Sequence, residues 1–176
     1  GLEALRFMTD SLEAGLSNPS STESLEEDVR RIFSSGEAAF ALNWTYMYNL
    51  ANDPAESQVA GQVGVAPAPG VEGVSELSAM NGSMGLGVTT NSEHPDLAYE
   101  YVAYLTSRPV QERYARLSLP IWEASYDDPD VAEGQEDLVV AAKQALGAMY
   151  PRPLMVQYPE FSTVLQEQLQ RALLDR

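Results

Sequence analysis

Two segments near the amino terminus carry apolar residues three or four positions apart, the spacing of one helical face. The first set is Leu2, Leu5, Met8 and Leu12, and the second is Leu25, Val29, Ile32 and Phe33. Gly15 follows the first set and Gly36 the second, and glycine commonly ends a helix. Ser24 and Glu27 have the separation of a capping box. The pattern therefore predicts two helices, the second capped by Ser24.

Three short apolar runs lack helical spacing and predict buried β-strands. They are Ala38–Leu42, Val63–Ala66 and Met84–Thr89. The second runs into the stiff segment Pro67–Gly70, and the third follows the small-residue turn Asn81–Ser83. Short apolar runs bounded by turn residues are typical of strands in a sheet core.

The second half of the chain is predicted to be mainly helical. Pro95 and Pro109 suit the first turns of two helices, because a backbone N–H in the first turn has no partner within the helix and proline loses nothing by lacking it. Two later helices carry the sets Leu138, Ala141, Ala145, Met149 and Phe161, Leu165, Leu169, Leu173. Residues 118–130 read as a loop. Short strands interleaved with helices favour an α/β protein.

The composition excludes several partners and chemistries. The 176 residues include 26 acidic and 10 basic side chains, for a formal charge of −16, so we expect no nucleic-acid partner. The absence of cysteine removes disulfides, thiolate metal sites and cysteine nucleophiles. No run approaches the roughly 18 apolar residues of a membrane span. The chain starts at Gly1 with no visible signal peptide, and we expect a fragment or a processed product.

Several local patterns occur in a characteristic order. They are Phe33–Phe40 (FSSGEAAF), Asn43–Tyr46 (NWTY), Val63–Gly70 (VGVAPAPG), Asn81–Val88 (NGSMGLGV) and Arg152-Pro153. Together they resemble the sugar-binding members of the family 1 extracellular solute-binding proteins, with the maltose- and trehalose-binding proteins as the nearest comparison. The resemblance extends over nearly the whole chain but corresponds only to the later, C-terminal part of a family member.

This resemblance implies an α/β, periplasmic-binding-protein-like (type II) fold, in which two lobes hold a sugar between them. Residues 1–80 and 130–176 would form the C-terminal sugar-binding lobe, and residues 81–129 would cross the hinge towards the N-terminal lobe. The implied function is the substrate-binding component of a bacterial ABC importer, periplasmic or lipid-anchored at the cell surface. It would deliver a maltose- or trehalose-like sugar to the permease subunits, with no catalysis, cofactor or metal.

The resemblance also implies a set of ligand-binding residues. They are Trp44, Tyr46, Asn81, Gly82, Ser83 and Arg152. An aromatic ring covers the C–H face of a pyranose at low entropic cost, although Trp44 and Tyr46 would also suit a core. Gly82 would let the backbone approach the ligand, or merely relieve a tight turn. In this turn Ser83 replaces a glycine of relatives, and Met84 stands where some have a stacking tryptophan. The planar donors of Arg152 suit vicinal hydroxyls, with a surface ion pair as the alternative.

The residues alone leave two other functions open. A glycoside-processing enzyme would use paired carboxylates such as Glu123 and Asp127 near Trp122, at a separation that sequence does not define. A helical module that docks another protein is the second. The single histidine, His94, precedes a predicted helix and is expected to cap it rather than act as a base. The loop carboxylates Asp127, Asp128 and Asp130 lack the spacing of a calcium loop.

The implied lobe boundary has a consequence for this chain by itself. A strand at Met84–Thr89 and a helix at Leu97–Leu105 would belong to a lobe whose main sheet is missing. Contiguous exposed apolar patches drive association. Identical chains can bury such patches by exchanging an element between them, that is, by domain swapping. We therefore expect the chain either to self-associate or to fold this segment back, and to bind sugar more weakly than a complete receptor.

Overall fold

The computed structural model describes residues 1–174, which are mainly helical. The helices are α1 (Leu2–Glu13), α2 (Glu26–Ser34), α3 (Met47–Ala51), α4 (Pro95–Leu105), α5 (Arg108–Arg113), α6 (Pro129–Ala132), α7 (Glu136–Gly147) and α8 (Tyr158–Leu174). Short 3₁₀ helices span Pro19–Thr22 and Glu123–Asp127, and the strands are β1 (Ala68–Val71), β2 (Ser75–Met80) and β3 (Met149–Tyr150). The chain forms two compact units, Gly1–Asn43 with Pro153–Arg176, and Trp44–Arg152.

The first unit contains α1, α2 and α8. Helices α1 and α8 pack against each other, and Leu173 of α8 is buried. Gln170 of α8 donates from Nε2 to the carbonyl oxygen of Thr22 at 2.8 Å. The two predicted amino-terminal helices are confirmed. Gly15 and Gly36 follow them with φ values of +68° and +84°, the left-handed conformation that favours glycine after a helix.

The start of α2 differs from the predicted capping box. The helix begins at Glu26, with Leu25 as its cap residue. Asp28, rather than Glu27, reaches back and accepts the backbone N–H of Leu25 on Oδ2 at 3.1 Å. The hydroxyl of Ser24 donates instead to the carbonyl oxygen of Ser20, at 2.8 Å. The predicted cap was wrong because Ser24 belongs to the preceding turn.

The second unit contains a three-stranded sheet in the order β1-β2-β3. Strands β1 and β2 form an antiparallel hairpin, whereas β3 pairs with β2 in parallel. The paired residues are Ala68–Ser78, Pro69–Leu77 and Val71–Ser75 in the hairpin, and Ala79–Met149 and Met80–Tyr150 in the parallel pair. Helix α7 packs against β2. Along β2, Leu77 and Ala79 are half-buried while Ser78 and Met80 are exposed, the alternation expected of a strand.

The core of the second unit is formed by α3, α6, α7 and the turn that follows α5. Its buried apolar residues are Met47, Ala51, Ala115, Val131, Leu138, Val139, Ala141 and Ala142. Gln135 is buried beside them, and its Nε2 donates to the carbonyl oxygen of Val131 at 2.6 Å. Its Oε1 accepts from Nδ2 of Asn49 at 2.8 Å. The buried amide is therefore satisfied and links α3 to α6 and α7.

The three strands predicted from apolar runs are not strands in the described residues 1–174. Residues 38–42, 63–66 and 84–89 are irregular, with Phe40 93% and Met84 98% exposed. A strand needs a neighbour to satisfy its backbone groups, and the described part of the chain offers none to these runs. Strands form instead in the hairpin, where Gly73 adopts φ +77° in the turn. The helices predicted at Pro95, at Pro109 and in the last third are confirmed. Met149, however, was predicted to lie in the helix that ends at Gly147, and it lies instead in β3.

The compact units do not share the predicted lobe boundaries. They divide the chain after Asn43 and after Arg152, whereas the sequence placed boundaries near residues 80 and 130. The compact units reflect contacts within this chain, while the lobes concern a complete two-lobe protein, so the lobe assignment stays a prediction. Among residues 1–174 no helix has the length and apolar character needed to cross a bilayer.

Candidate functional site

Trp44 and Gly82 are in direct contact within the second unit. A Cβ atom added at Gly82 would lie 2.8 Å from Cζ3 of the Trp44 indole and would meet Cη2 more closely still. Only a residue without a side chain lets the ring approach the backbone in this way. Trp44 is nevertheless 50% exposed. The indole is therefore held against a backbone turn while much of it stays accessible to a ligand.

Helix α3 fixes the chain that carries Trp44 and Tyr46. Met47, the first residue of α3, is buried, and its backbone N–H donates to the carbonyl oxygen of Trp44 at 3.2 Å. Tyr46 is the cap residue of the helix and is half-buried.

Burial raises the pKa of the Tyr48 hydroxyl, and the charge of Asp137 raises it further, so this hydroxyl is protonated at neutral pH.

Asn81 organises the turn on which the indole lies. Its Oδ1 accepts the backbone N–H of Ser83 at 3.0 Å and the Ser83 hydroxyl at 2.6 Å. Its own backbone N–H donates to the carbonyl oxygen of Tyr150 at 2.9 Å. Ser83, which replaces a glycine of the related pattern, thus stabilises the turn. A ligand role for Asn81 and Ser83 stays a prediction.

Arg152 follows strand β3, which lies next to the Asn81 turn. Tyr150 pairs with Met80 and is hydrogen-bonded to Asn81, and Arg152 follows two residues later. Arg152 is exposed, and it forms no ion pair with any residue in the described range 1–174. The alternative of a surface ion pair therefore has no support there. The planar guanidinium donors remain available for a ligand.

We refer to the six predicted residues as the Trp44 site. They are Trp44, Tyr46, Asn81, Gly82, Ser83 and Arg152. The structure joins Trp44 to Gly82 by contact, and joins the Asn81 turn to the segment of Arg152 through β3. Tyr46 adjoins the group along the chain. Such a site can bind a neutral ligand through ring contact and directed hydrogen bonds, without any proton transfer.

Sequence reasoning missed Tyr150. Its carbonyl oxygen holds the Asn81 turn, and its side chain is 74% exposed. The strand that carries it has only two residues, too few to leave a pattern of alternating polarity. The available signal was its position immediately before Pro151-Arg152.

Of the two carboxylates proposed for a glycoside-processing enzyme, Glu123 is exposed at the first position of the 3₁₀ helix Glu123–Asp127, and Asp127 stands at its last position. Asp127 accepts from Nζ of Lys143 at 2.5 Å. Asp128 accepts a backbone N–H at the start of α6 at 3.0 Å. Trp122, which would stand beside them, donates from Nε1 to the carbonyl oxygen of Thr106 at 2.8 Å. Within the described residues no three acidic or histidine side chains are grouped as metal ligands.

Two glutamates of the second unit have lowered pKa values, whereas a general acid needs a raised one. The hydrogen bond from Arg108, followed by that from Ser125, lowers the pKa of Glu112. The backbone N–H of Gly134 is the main cause that lowers the pKa of Glu136. The acid in glycoside hydrolysis needs a raised pKa, so neither carboxylate suits that role.

His94 precedes α4 at the cap position, as predicted. Its carbonyl oxygen accepts the backbone N–H of Ala98 at 3.0 Å. Its side chain makes no capping hydrogen bond. The cap is therefore made by backbone geometry rather than by the imidazole.

Comparison with known proteins identifies the family. Residues 2–112 match the family described as bacterial extracellular solute-binding protein. The chain belongs to this family. The solute-binding chain is 34% identical over 126 residues to a probable ABC transporter-binding protein of Deinococcus radiodurans, covering 71% of this chain and 28% of the relative. The predicted family is thereby confirmed.

A solved structure, maltose-bound T. maritima MalE3, has a similar fold. The TM-score is 0.83 at 32% identity, and the match covers 97% of this chain and 44% of that chain. The predicted periplasmic-binding-protein-like α/β fold is therefore confirmed. The chain spans less than half the length of either relative. The family and these relatives are binding proteins rather than enzymes.

Proposed function

We propose that the chain is part of the substrate-binding component of a bacterial ABC importer and binds a sugar of the maltose- or trehalose-like oligosaccharide class. The observation that carries the proposal is the half-exposed Trp44 indole against Gly82, beside the turn of Asn81 and the segment of Arg152. The flat indole ring of Trp44 can stack on the C–H face of a sugar, and the planar guanidinium of Arg152 can donate hydrogen bonds to neighbouring hydroxyls. The similarity to maltose-bound MalE3 supports this ligand class.

In the proposed mechanism the protein at its full natural length closes two lobes over the ligand. Residues 1–80 and 130–176 belong to one lobe, and residues 81–129 cross the hinge towards the other. Hinge residues absorb the motion, and permease subunits in the membrane recognise the closed form. The protein works in the periplasm or at the cell surface, held there by a lipid anchor. It catalyses no reaction and needs no cofactor.

A thermal-shift screen of the protein at its full natural length tests the ligand class. A sugar at 100 times its dissociation constant should stabilise the fold by about 2.7 kcal/mol. Maltose, trehalose and longer glucose oligomers are the first ligands to screen. If all of these and a broad set of other sugars leave the melting temperature unchanged at millimolar concentration, the protein binds another class of ligand.

Substitution of Trp44 tests the site itself. Trp44→Ala should weaken sugar binding by about 1–3 kcal/mol, the scale of one aromatic contact. Trp122→Ala is the matched control, because Trp122 is similarly exposed and does not belong to the Trp44 site. Unchanged affinity of folded Trp44→Ala in calorimetry would remove Trp44 from the site. If the sugar incubated with the protein is recovered cleaved rather than intact, a glycoside-processing enzyme is favoured over a receptor.

A further inference from the structure

Asn49 connects the segment of Trp44 to distant parts of the second unit. It lies in the middle of α3, and its side-chain amide nitrogen donates to two acceptors, both at 2.8 Å. One acceptor is the carbonyl oxygen of Arg116, and the other is Oε1 of Gln135. These partners are 67 and 86 positions further along the chain. A single amide therefore ties α3 to the turn after α5 and to the residue that precedes α7.

Both acceptors are held in place by further hydrogen bonds. Gln135 is 1% exposed, and its Nε2 donates to the carbonyl oxygen of Val131 at 2.6 Å. Arg116 donates from Nη2 to the carbonyl oxygen of Glu133, also at 2.6 Å. Because Glu133 and Gln135 are two residues apart, the two acceptors belong to one hydrogen-bonded assembly.

Helix α3 depends on such outside contacts for its orientation. It has only five residues, and a helix this short is not stable by itself in water. Met47 and Ala51 are buried, but the burial of apolar groups is not directional. The hydrogen bonds of Asn49 are directional and therefore fix how the helix is rotated.

The orientation of α3 in turn determines where the indole of Trp44 lies. The carbonyl oxygen of Trp44 accepts the backbone N–H of Met47, and that of Thr45 accepts the N–H of Tyr48, both at 3.2 Å. The chain is thus hydrogen-bonded from Trp44 into the helix. The indole lies in close contact with Gly82. An added gap of about 0.5–1 Å removes roughly a quarter to a half of the attraction between two atoms, so a small rotation of α3 would release the ring.

We propose that Asn49 is a positioning residue of the Trp44 site, which holds α3 in the orientation that keeps the indole against Gly82. This inference rests on the proposed sugar-binding function and adds a residue that acts on the ligand only through Trp44. Without the hydrogen bonds of Asn49 the ring has more freedom, and a sugar must order it on binding. Loss of Asn49 should therefore weaken sugar binding, and this effect should disappear when Trp44 is absent.

Two measurements on the protein at its full natural length test the role of Asn49. The first needs no sugar: in protein labelled with fluorotryptophan, the fluorine NMR signal of Trp44 is the one that Trp44→Phe removes, and Asn49→Ala should shift or broaden it. The second is calorimetric titration with maltose and trehalose. Asn49→Ala should weaken binding about three- to tenfold, but less than about twofold in the Trp44→Ala background.

Asn52→Ala is the matched control, because Asn52 is a half-buried asparagine at the end of the same helix. Its Nδ2 donates to the carbonyl oxygen of Tyr48, and its Oδ1 accepts the backbone N–H of Gly61, so these bonds stay close to α3 in the chain. Asn52→Ala should leave the Trp44 signal in place and change affinity less than about twofold. Should Asn49→Ala fail to fold, Asn49→Ser replaces it, since a hydroxyl has one donor and cannot serve both acceptors.

The outcomes separate this inference from the proposed function. If Asn49→Ala leaves the Trp44 signal unchanged, or moves it no more than Asn52→Ala does, the positioning role is overturned whatever the protein binds. An equal loss of affinity with and without Trp44 would also overturn it, because Asn49 would then act elsewhere. If the unsubstituted protein binds no sugar, the proposed function fails, and the fluorine signal still decides whether Asn49 positions the ring.

Discussion

Addition of one methyl group at Gly82 should displace the Trp44 indole. In Gly82→Ala the new Cβ would stand 2.8 Å from Cζ3, whereas ordinary contacts begin at 3.4 Å, a shortfall of 3.4 − 2.8 = 0.6 Å at that atom. The shortfall at Cη2 is larger. The neighbour on the other side is a rigid backbone turn held by Asn81. The ring must therefore move, by about 1 Å, to reach an ordinary carbon–carbon separation.

The displacement should affect binding more than folding. Because Trp44 is half-exposed, its ring can tilt towards solvent, and we expect the free energy of unfolding to fall by less than about 1 kcal/mol, below the usual range for an overpacked core. A ligand that stacks on the ring loses its surface. We expect a loss of about 1–2 kcal/mol in binding, which is roughly 5- to 30-fold in affinity.

Calorimetric titration with the preferred sugar and thermal melting measure these two quantities. Gly85→Ala is the matched control, since a Cβ there has no atom within 4 Å and the residue belongs to the same irregular segment. The double variant Gly82→Ala/Trp44→Ala completes a cycle. If the clash with the indole is the whole cause, Gly82→Ala should add nothing once Trp44 is already alanine.

Two results would refute this reasoning. Gly82→Ala could behave like Gly85→Ala, which would mean that the indole position is irrelevant to binding. Alternatively, Gly82→Ala could cost the same affinity in the Trp44→Ala background. That result would assign the effect to direct contact between the ligand and the Gly82 backbone rather than to the ring.

Three further predictions follow from other contacts. Arg152→Lys should weaken sugar binding measurably in calorimetry, because an ammonium group cannot reproduce the planar donors of the guanidinium. Equal affinity of the two proteins would mean that Arg152 has a structural role and does not bind the sugar. Gln135→Ala should lower the free energy of unfolding by about 1–3 kcal/mol in urea titration, against little change for exposed Gln144→Ala. The 176-residue chain, with exposed Phe40 and Met84, should scatter light above its monomer mass of 19.2 kDa, and a clean monomer that binds sugar at full strength would contradict the predicted lobe boundary.

The helices could be predicted from the sequence because their signals are local. Apolar spacing, proline at the first turn and glycine after the last turn all lie within the segment that folds. The strands could not be predicted in the same way. Phe40 and Met84 stand in apolar runs that read as strands, yet pairing depends on another segment, which the run itself does not specify. The real hairpin contains Pro69 and Gly70, which argue against a strand by propensity.

The candidate site was predictable residue by residue but not as an arrangement. The patterns around Trp44 and Asn81 resemble ligand-binding segments of a family, and this is how both were found. The contact of Trp44 with Gly82 joins positions far apart in the chain, and no spacing rule indicates it. The hydrogen bond from the Asn81 backbone to the carbonyl oxygen of Tyr150 was missed because it depends on a pairing with Met80 that only the fold creates.

The parallel ladder also fixes the order in which the site is completed during folding. The hairpin of β1 and β2 closes over three residues, whereas Met80 and Tyr150 are 150 − 80 = 70 positions apart. Closing a loop of that length carries a length-dependent entropic cost of about 4 kcal/mol, so this pairing forms late. A chain still emerging from the ribosome would hold Trp44 and Asn81 but lack the segment that sets Arg152 beside them. The Trp44 site would then be complete only after the whole of this unit has been synthesised and has folded.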